Sequence, residues 1–130
     1  MTYQVVKSFQ DLDVYQRLYQ AMIQIHKQIL FVLPLYEKFG LVDQMRRASK
    51  APPALIAEGF AKRHHKRYWN KYLQDSIGEC NEMINHLSVC RDLYGDKVNL
   101  LLCDQLIEEY TISCKQLHRL ISTWKNFDRP

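Results

Sequence analysis

Between Lys62 and Lys71 the chain places Lys62, Arg63, Lys66, Arg67 and Lys71 around the pair His64–His65, with Tyr68, Trp69 and Tyr72 directly behind. Cations beside flat aromatic rings are what phosphate contact combined with base stacking requires. The basic character reaches further back. From Asp43 to Lys71, Arg46, Arg47, Lys50 and those five cations face only Asp43 and Glu58, a net charge of +6. The whole chain is +4, so the remaining residues sum to −2 and the charge is polarised. Lys62, Arg63, Lys66, Arg67 and Lys71, with Arg46 and Arg47, are therefore the candidate nucleic-acid-binding residues. An acidic protein partner could use the same cations. A solvated loop with Trp69 and Tyr72 turned into a core would need no ligand at all. No helix-turn-helix spacing or RNA-binding-domain motif decides among these readings.

Other chemistries find less support. A carboxylate-bridged metal site in a helical bundle needs Glu-x-x-His on two helices. Here Glu82 and His86 are four apart, and His26 and His118 have no carboxylate three residues earlier. Zinc-protease spacing, a phosphate-binding P-loop and a serine nucleophile elbow are all missing from the sequence. The expectation is no catalytic residue, no metal and no cofactor. Cys80, Cys90, Cys103 and Cys114 include no CxxC pair and read as reduced core residues. An antiparallel hairpin turning near residue 97 would nevertheless set Cys80 level with Cys114 and Cys90 level with Cys103, which leaves a thiol-based redox or metal response as a third reading.

The elements that must position these residues are helical. Apolar residues recur at three- and four-residue spacing in four segments. The seams are Tyr15, Leu18, Met22, Ile25, Ile29 and Val32; Leu41, Met45, Ala48, Pro52, Leu55 and Gly59; Leu73, Ile77, Cys80, Ile84 and Leu87; and Cys103, Leu106, Tyr110, Leu117, Leu120 and Trp124. Ser8 or Asp11 could cap the first helix and Asp96 or Asn99 the fourth, while Gly95 suits a left-handed stop to the third. Helices are expected over roughly 10–33, 40–62, 66–94 and 98–125. Their short linkers favour antiparallel neighbours. The result is an all-α, up-down-up-down four-helix bundle forming one domain over residues 1–130. The polar N-terminus does not resemble a signal peptide, and no apolar run approaches the roughly 20 residues that span a bilayer. A cytoplasmic protein with no membrane partner is expected.

Pro52 and Pro53 interrupt the second segment, yet its apolar phase runs through them. The expectation is one helix kinked at Pro52–Pro53, with two shorter helices as the alternative. Off the seams lie Tyr68, Tyr72, Tyr94, Phe9, Tyr19, Phe31 and Tyr36. A chain of 130 residues cannot bury all of them in one bundle core, and exposed aromatic surface marks subunit interfaces, so a homo-oligomer is expected.

FQDLDVYQ, EKFGLVDQMRRAS, the helix-breaking proline before LIAEG, and KRYWNKYLQDSIGECNEM together resemble the bacterial "four helix bundle protein" family over roughly residues 8–120. That family was first noticed in intervening sequences of large-subunit ribosomal RNA genes. Its pattern falls on Asp11, Leu12, Val14, Gln16, Leu41, Gln44, Arg46, Arg47, Pro53, Ile56, Ala57, Glu58, Gly59, Gly78 and Glu82. Leu55 stands where an Asn is common, Glu79 where a Ser is common and Tyr15 where a Trp is common. The resemblance implies a ring-like homopentamer, and kinship with accessory proteins of diversity-generating retroelements, which bind a reverse transcriptase and structured RNA. Glu58 is expected to accept from Arg46 or Arg47 of the same or a neighbouring subunit, and Gly59 to admit a close neighbour. The functional expectation is a non-enzymatic RNA- or DNA-binding accessory protein. The alternative is a protein-interaction scaffold.

Overall fold

The prolines do not end the second helix. In a computed structural model, which describes residues 6–124, α2 runs unbroken from Leu41 to Phe60 with Pro52 and Pro53 inside it and buried. Neither ring has an N–H, so the carbonyls of Ala48 and Ser49 lose their intrahelical donors, which makes this the point where α2 can bend. Neighbouring helices brace it. Ser76 donates to the Pro52 carbonyl (3.3 Å), and His26 hydrogen-bonds the Ser49 hydroxyl (3.1 Å).

The other helices are α1 (Asp13–Gln24), α3 (Lys66–Leu93) and α4 (Leu100–Thr123), and no strand occurs among the described residues. Each helix packs on two others: α1 on α2 and α4, α3 on α2 and α4. The pairs α1/α3 and α2/α4 lie across the diagonal. With short turns at 61–65 and 94–99, this is the antiparallel four-helix bundle expected from the sequence.

Three local departures have physical causes. The first helix is not regular to residue 33: after Gln24 come a π-helical turn, Ile25–Ile29, and a 3-10 turn, Leu30–Val32. Leu33 is then extended (φ −72°, ψ 153°), the conformation that the following Pro34 imposes on its predecessor. Asp11 does not cap α1; it closes a preceding 3-10 turn, Phe9–Asp11, by accepting from the backbone N–H groups of Lys7 (2.8 Å) and Ser8 (3.0 Å). Gly95 is not left-handed. It is needed because a Cβ there would sit 2.8 Å from the Arg91 carbonyl. Asn99 caps α4 as expected, accepting from Leu102 N–H at 3.0 Å. The expected end of that helix at 125 lies outside the described residues.

The core draws on all four helices, with Leu18, Met45, Ile56, Trp69, Leu73, Met83, Leu87, Leu106, Tyr110 and Leu117 almost fully buried. The expected seams are close but narrow. Val14, Ala21, Ile56 and Met83 are buried, whereas Tyr15 and Ile84 only flank the core and Met22 and Leu55 are partly exposed. A helix facing two neighbours buries a wider stripe than a two-helix seam, and a one-residue shift turns a side chain by about 100°.

Candidate nucleic-acid interface

The turn between α2 and α3 rests on an aromatic base. Phe60, Trp69 and Trp124 meet edge to face, with centroids 5.5–6.3 Å apart. Trp69 is fully buried, so this ring fills the core and cannot stack on a base. Gly59 lets α3 close onto α2: a Cβ there would lie 2.5 Å from the Cβ of Tyr72 and 3.0 Å from the Trp69 ring. Tyr72 is half-buried by that contact, and Tyr68, 54% exposed, is the aromatic of the three that offers a face to solvent.

The cations above this base divide by what already holds them. Arg63 lies over the Phe60 ring (4.2 Å) and donates to the Phe60 carbonyl (3.1 Å), so it finishes α2. Lys62 donates to the Tyr72 hydroxyl (3.2 Å), which in turn donates to Glu58 (3.1 Å). The Tyr72 bond comes first among the causes that raise the Lys62 pKa, which keeps the ammonium charged, poised 5.9 Å from the Tyr68 ring centroid. Lys71 pairs with Asp75 at 2.9 Å on the exposed helix surface. Lys66 and Arg67 are exposed and have no ion-pair partner among the described residues.

Those two cations occupy the first turn of α3, where no side chain of the cap residue His65 satisfies the free backbone N–H groups. A helix N-terminus already carries partial positive charge. Adding Lys66 and Arg67 concentrates positive potential on N–H donors that point away from the helix, an arrangement suited to an oxyanion. Over Glu58–Asp75 the five cations outnumber the carboxylates Glu58 and Asp75 by three.

Arg46 and Arg47 are not part of this group. About 20 Å of helix separates Arg47 from Phe60 at 1.5 Å per residue. Both guanidiniums bind Asp43, Arg47 at 2.7 Å. The Arg46 bond above all holds the Asp43 carboxyl below its ordinary pKa. Within the chain, Glu58 therefore pairs with Tyr72, not with Arg46 or Arg47 as expected. The continuous +6 stretch of sequence is two separate patches in space. The i, i+3 and i, i+4 spacings from Asp43 to the two arginines carried that signal. Nothing in the sequence pointed to the Glu58–Tyr72–Lys62 chain, whose members lie ten and fourteen residues apart.

The remaining candidates fall into structural roles. Glu82 and His86 form an i, i+4 pair at 3.3 Å, and no cluster of three metal-ligating side chains occurs among the described residues. The Cys114 thiol donates to Asn81 Oδ1 (3.7 Å), and its nearness is the first cause that raises the Cys80 pKa, in keeping with the levels inferred from the hairpin for this pair. Burial pushes Cys90 up to about 12, and all four cysteines are free thiols. The raised values of Cys80, Cys90 and Cys103 suppress the nucleophilic thiolate, whereas Cys114 is lowered, chiefly by the Cys80 thiol beside it. No described helix is long and apolar enough to cross a membrane.

No curated protein and no solved structure matches the chain. Among known families, residues 10–121 match the 23S rRNA-intervening sequence protein, the family also described as four helix bundle proteins. With the four-helix fold and most of the chain inside that match, the protein belongs to the 23S rRNA-intervening sequence protein family.

Proposed function

We propose that this protein is a non-enzymatic, oligomeric RNA-binding accessory protein of the cytoplasm, whose basic end takes hold of phosphates. The observation that carries the reading is the first turn of α3, where Lys66 and Arg67 stand exposed, with no ion pair among the described residues, on backbone donors that the His65 side chain does not cap. Lys62 and Lys71 flank them, and Tyr68 supplies one ring for a base. Arg63 contributes charge from a fixed position. Arg46 and Arg47, tied to Asp43, take a secondary part. A family defined by ribosomal RNA intervening sequences supports RNA over DNA. Kinship with retroelement accessory proteins adds a homopentameric ring and a reverse transcriptase partner to this reading. Repeating a net +3 end around such a ring would build a positive surface that draws polyanions in quickly.

The test uses a labelled structured RNA and a Lys66→Glu/Arg67→Glu variant. Acidic residues in a first turn favour the helix, so this variant keeps or raises the melting temperature, and lost binding cannot be blamed on unfolding. Wild type is expected to bind at 50 mM salt and to weaken roughly 50–150-fold at 200 mM if four phosphates are contacted per subunit. The variant should lose most of that affinity, and Arg46→Ala/Arg47→Ala much less. No binding at low salt, or equal binding by the charge-reversal variant, overturns the proposal.

A further inference from the structure

We propose that the end of the bundle opposite the basic turn is a self-docking surface, through which two copies of this chain associate end to end about a two-fold axis. The antiparallel topology brings the connection before α2 and the turn between α3 and α4 to this one end. The Tyr36 and Tyr94 rings, 6.2 Å apart, tie the two together. On it stand Phe31 (72% exposed), Leu35 (90%), Tyr36 (77%), Phe39 (86%), Leu93 (65%) and Leu101 (68%). Counting about 200 Å² for a fully exposed large side chain, they present on the order of 900 Å². The largest apolar patch of an ordinary monomer is roughly 300–600 Å², and a stable interface takes about 800 Å² from each partner.

The display is built, not collapsed. Glu37 bonds to the Tyr94 hydroxyl with one carboxylate oxygen and accepts from Leu41 N–H (3.1 Å) with the other. This pins the connection to both α2 and Tyr94, so that Leu35, Tyr36 and Phe39 cannot fold under it. Lys38 lies 5.4 Å from the centroid of the Phe39 ring.

Charge selects the occupant. Lys38, Arg46, Arg47, Arg91 and Lys97 stand against Glu37, Asp43, Asp92, Asp96 and Asp104, a net charge of zero. Arg91 already pairs with Asp92 (3.0 Å) and Asp104 (3.4 Å). A strongly basic or acidic partner finds no complement here. A second copy brings the same area and an equally balanced set of charges, which is what a self-complementary two-fold contact needs. The basic ends, at +3 each, would point outward at the far extremities. A ring of subunits uses side-to-side, head-to-tail contacts, so end-to-end pairing is independent of it and would stack two rings.

The experiment is sedimentation equilibrium of the full chain, wild type against Leu35→Glu/Phe39→Glu, at 50 and 500 mM salt. Both residues are almost fully exposed in one copy, so helicity and melting of the single chain should not suffer. Should that variant misfold, Leu101→Lys on the opposite turn gives the same reading. The expected result is an even number of chains in wild type, a twofold lower mass in either variant, and no weakening with salt. RNA binding by one basic end is a separate measurement that can fail alone. A variant of unchanged mass overturns the proposal. So does a wild type that sediments as one chain, which would leave this end to a different protein.

Discussion

The two ends of this bundle are made of the same elements, turns between antiparallel helices, and treat their aromatic residues in opposite ways. At the 61–65 turn, Phe60, Trp69 and Trp124 point inward and the charges point out. At the other end Phe31, Tyr36 and Phe39 point out, while Arg91 pairs with Asp92 and Asp104 and Glu37 binds the backbone. A free end of a soluble bundle is ordinarily of the first kind. The second kind exposes surface that water disfavours, which is reasonable only if another surface covers it. The contrast teaches that polarity in this molecule is not one-sided: one end gathers exposed charge, the other exposed apolar side chains.

The sharpest way to break the comparison is to truncate one large aromatic at each end. Trp69→Ala should cost about 3–5 kcal/mol, since the ring is fully buried and its cavity cannot refill. In a single chain, Phe39→Ala should stay within about 0.5 kcal/mol, because the ring is already in solvent. Denaturant titration of both variants at low protein concentration reads the difference. Equal losses would mean that Phe39 is covered in every state of the protein.

Glycines give a second, smaller contrast. At Gly59 an added Cβ meets Tyr72 at its Cβ, close to the backbone, and the buried Trp69 ring, so α2 and α3 must separate. Gly59→Ala is expected to cost about 1–3 kcal/mol by overpacking. At Gly40 the added Cβ would lie 2.7 Å from Glu37 Oε1, the far end of a flexible side chain that can swing aside. Gly40→Ala should cost no more than about 1 kcal/mol, one hydrogen bond's worth, yet it releases the connection that displays Leu35 and Phe39. Thermal melts should rank Gly59→Ala well below Gly40→Ala, while the sedimenting mass should respond to Gly40→Ala.

The bundle itself was legible because it depends on periodicity and loop length, which are local properties. The unbroken apolar phase from Ala48 through Pro52 foretold one helix, and Asn99 was visible as a cap. What failed were properties that depend on direction in space. Tyr68 and Trp69 are neighbours in sequence, and only the packing of α3 on Phe60 decides which ring is buried. The eight cations of 43–71 read as one patch because a sequence does not display the 20 Å of helix between its two halves. The apolar end was legible only in part. Phe31 and Tyr36 stood off the seams, but nothing local placed Leu35 and Phe39 beside them, which the extended Leu33–Pro34 step does.

The finest test of the two-ended arrangement is acid. The Tyr94 hydroxyl and then the Leu41 N–H hold the Glu37 carboxyl below its ordinary value of 4.5. A carboxylate whose folded pKa is depressed contributes stability that is complete above the unfolded value and is lost as pH falls through the folded one. The apolar end should therefore loosen below about pH 4.5, whereas the contacts of Trp69 at the basic end contain nothing that titrates there. Asp11 and Asp43 are also held low and add to the acid response of the whole chain. Tyr94→Phe isolates Glu37 from them. Wild type should melt above this variant at pH 6, by a few degrees at most, and the gap should narrow steadily toward pH 3. A gap that stays constant across that range would show that Glu37 is not held by Tyr94, and the rigid display of the apolar end would lose its support.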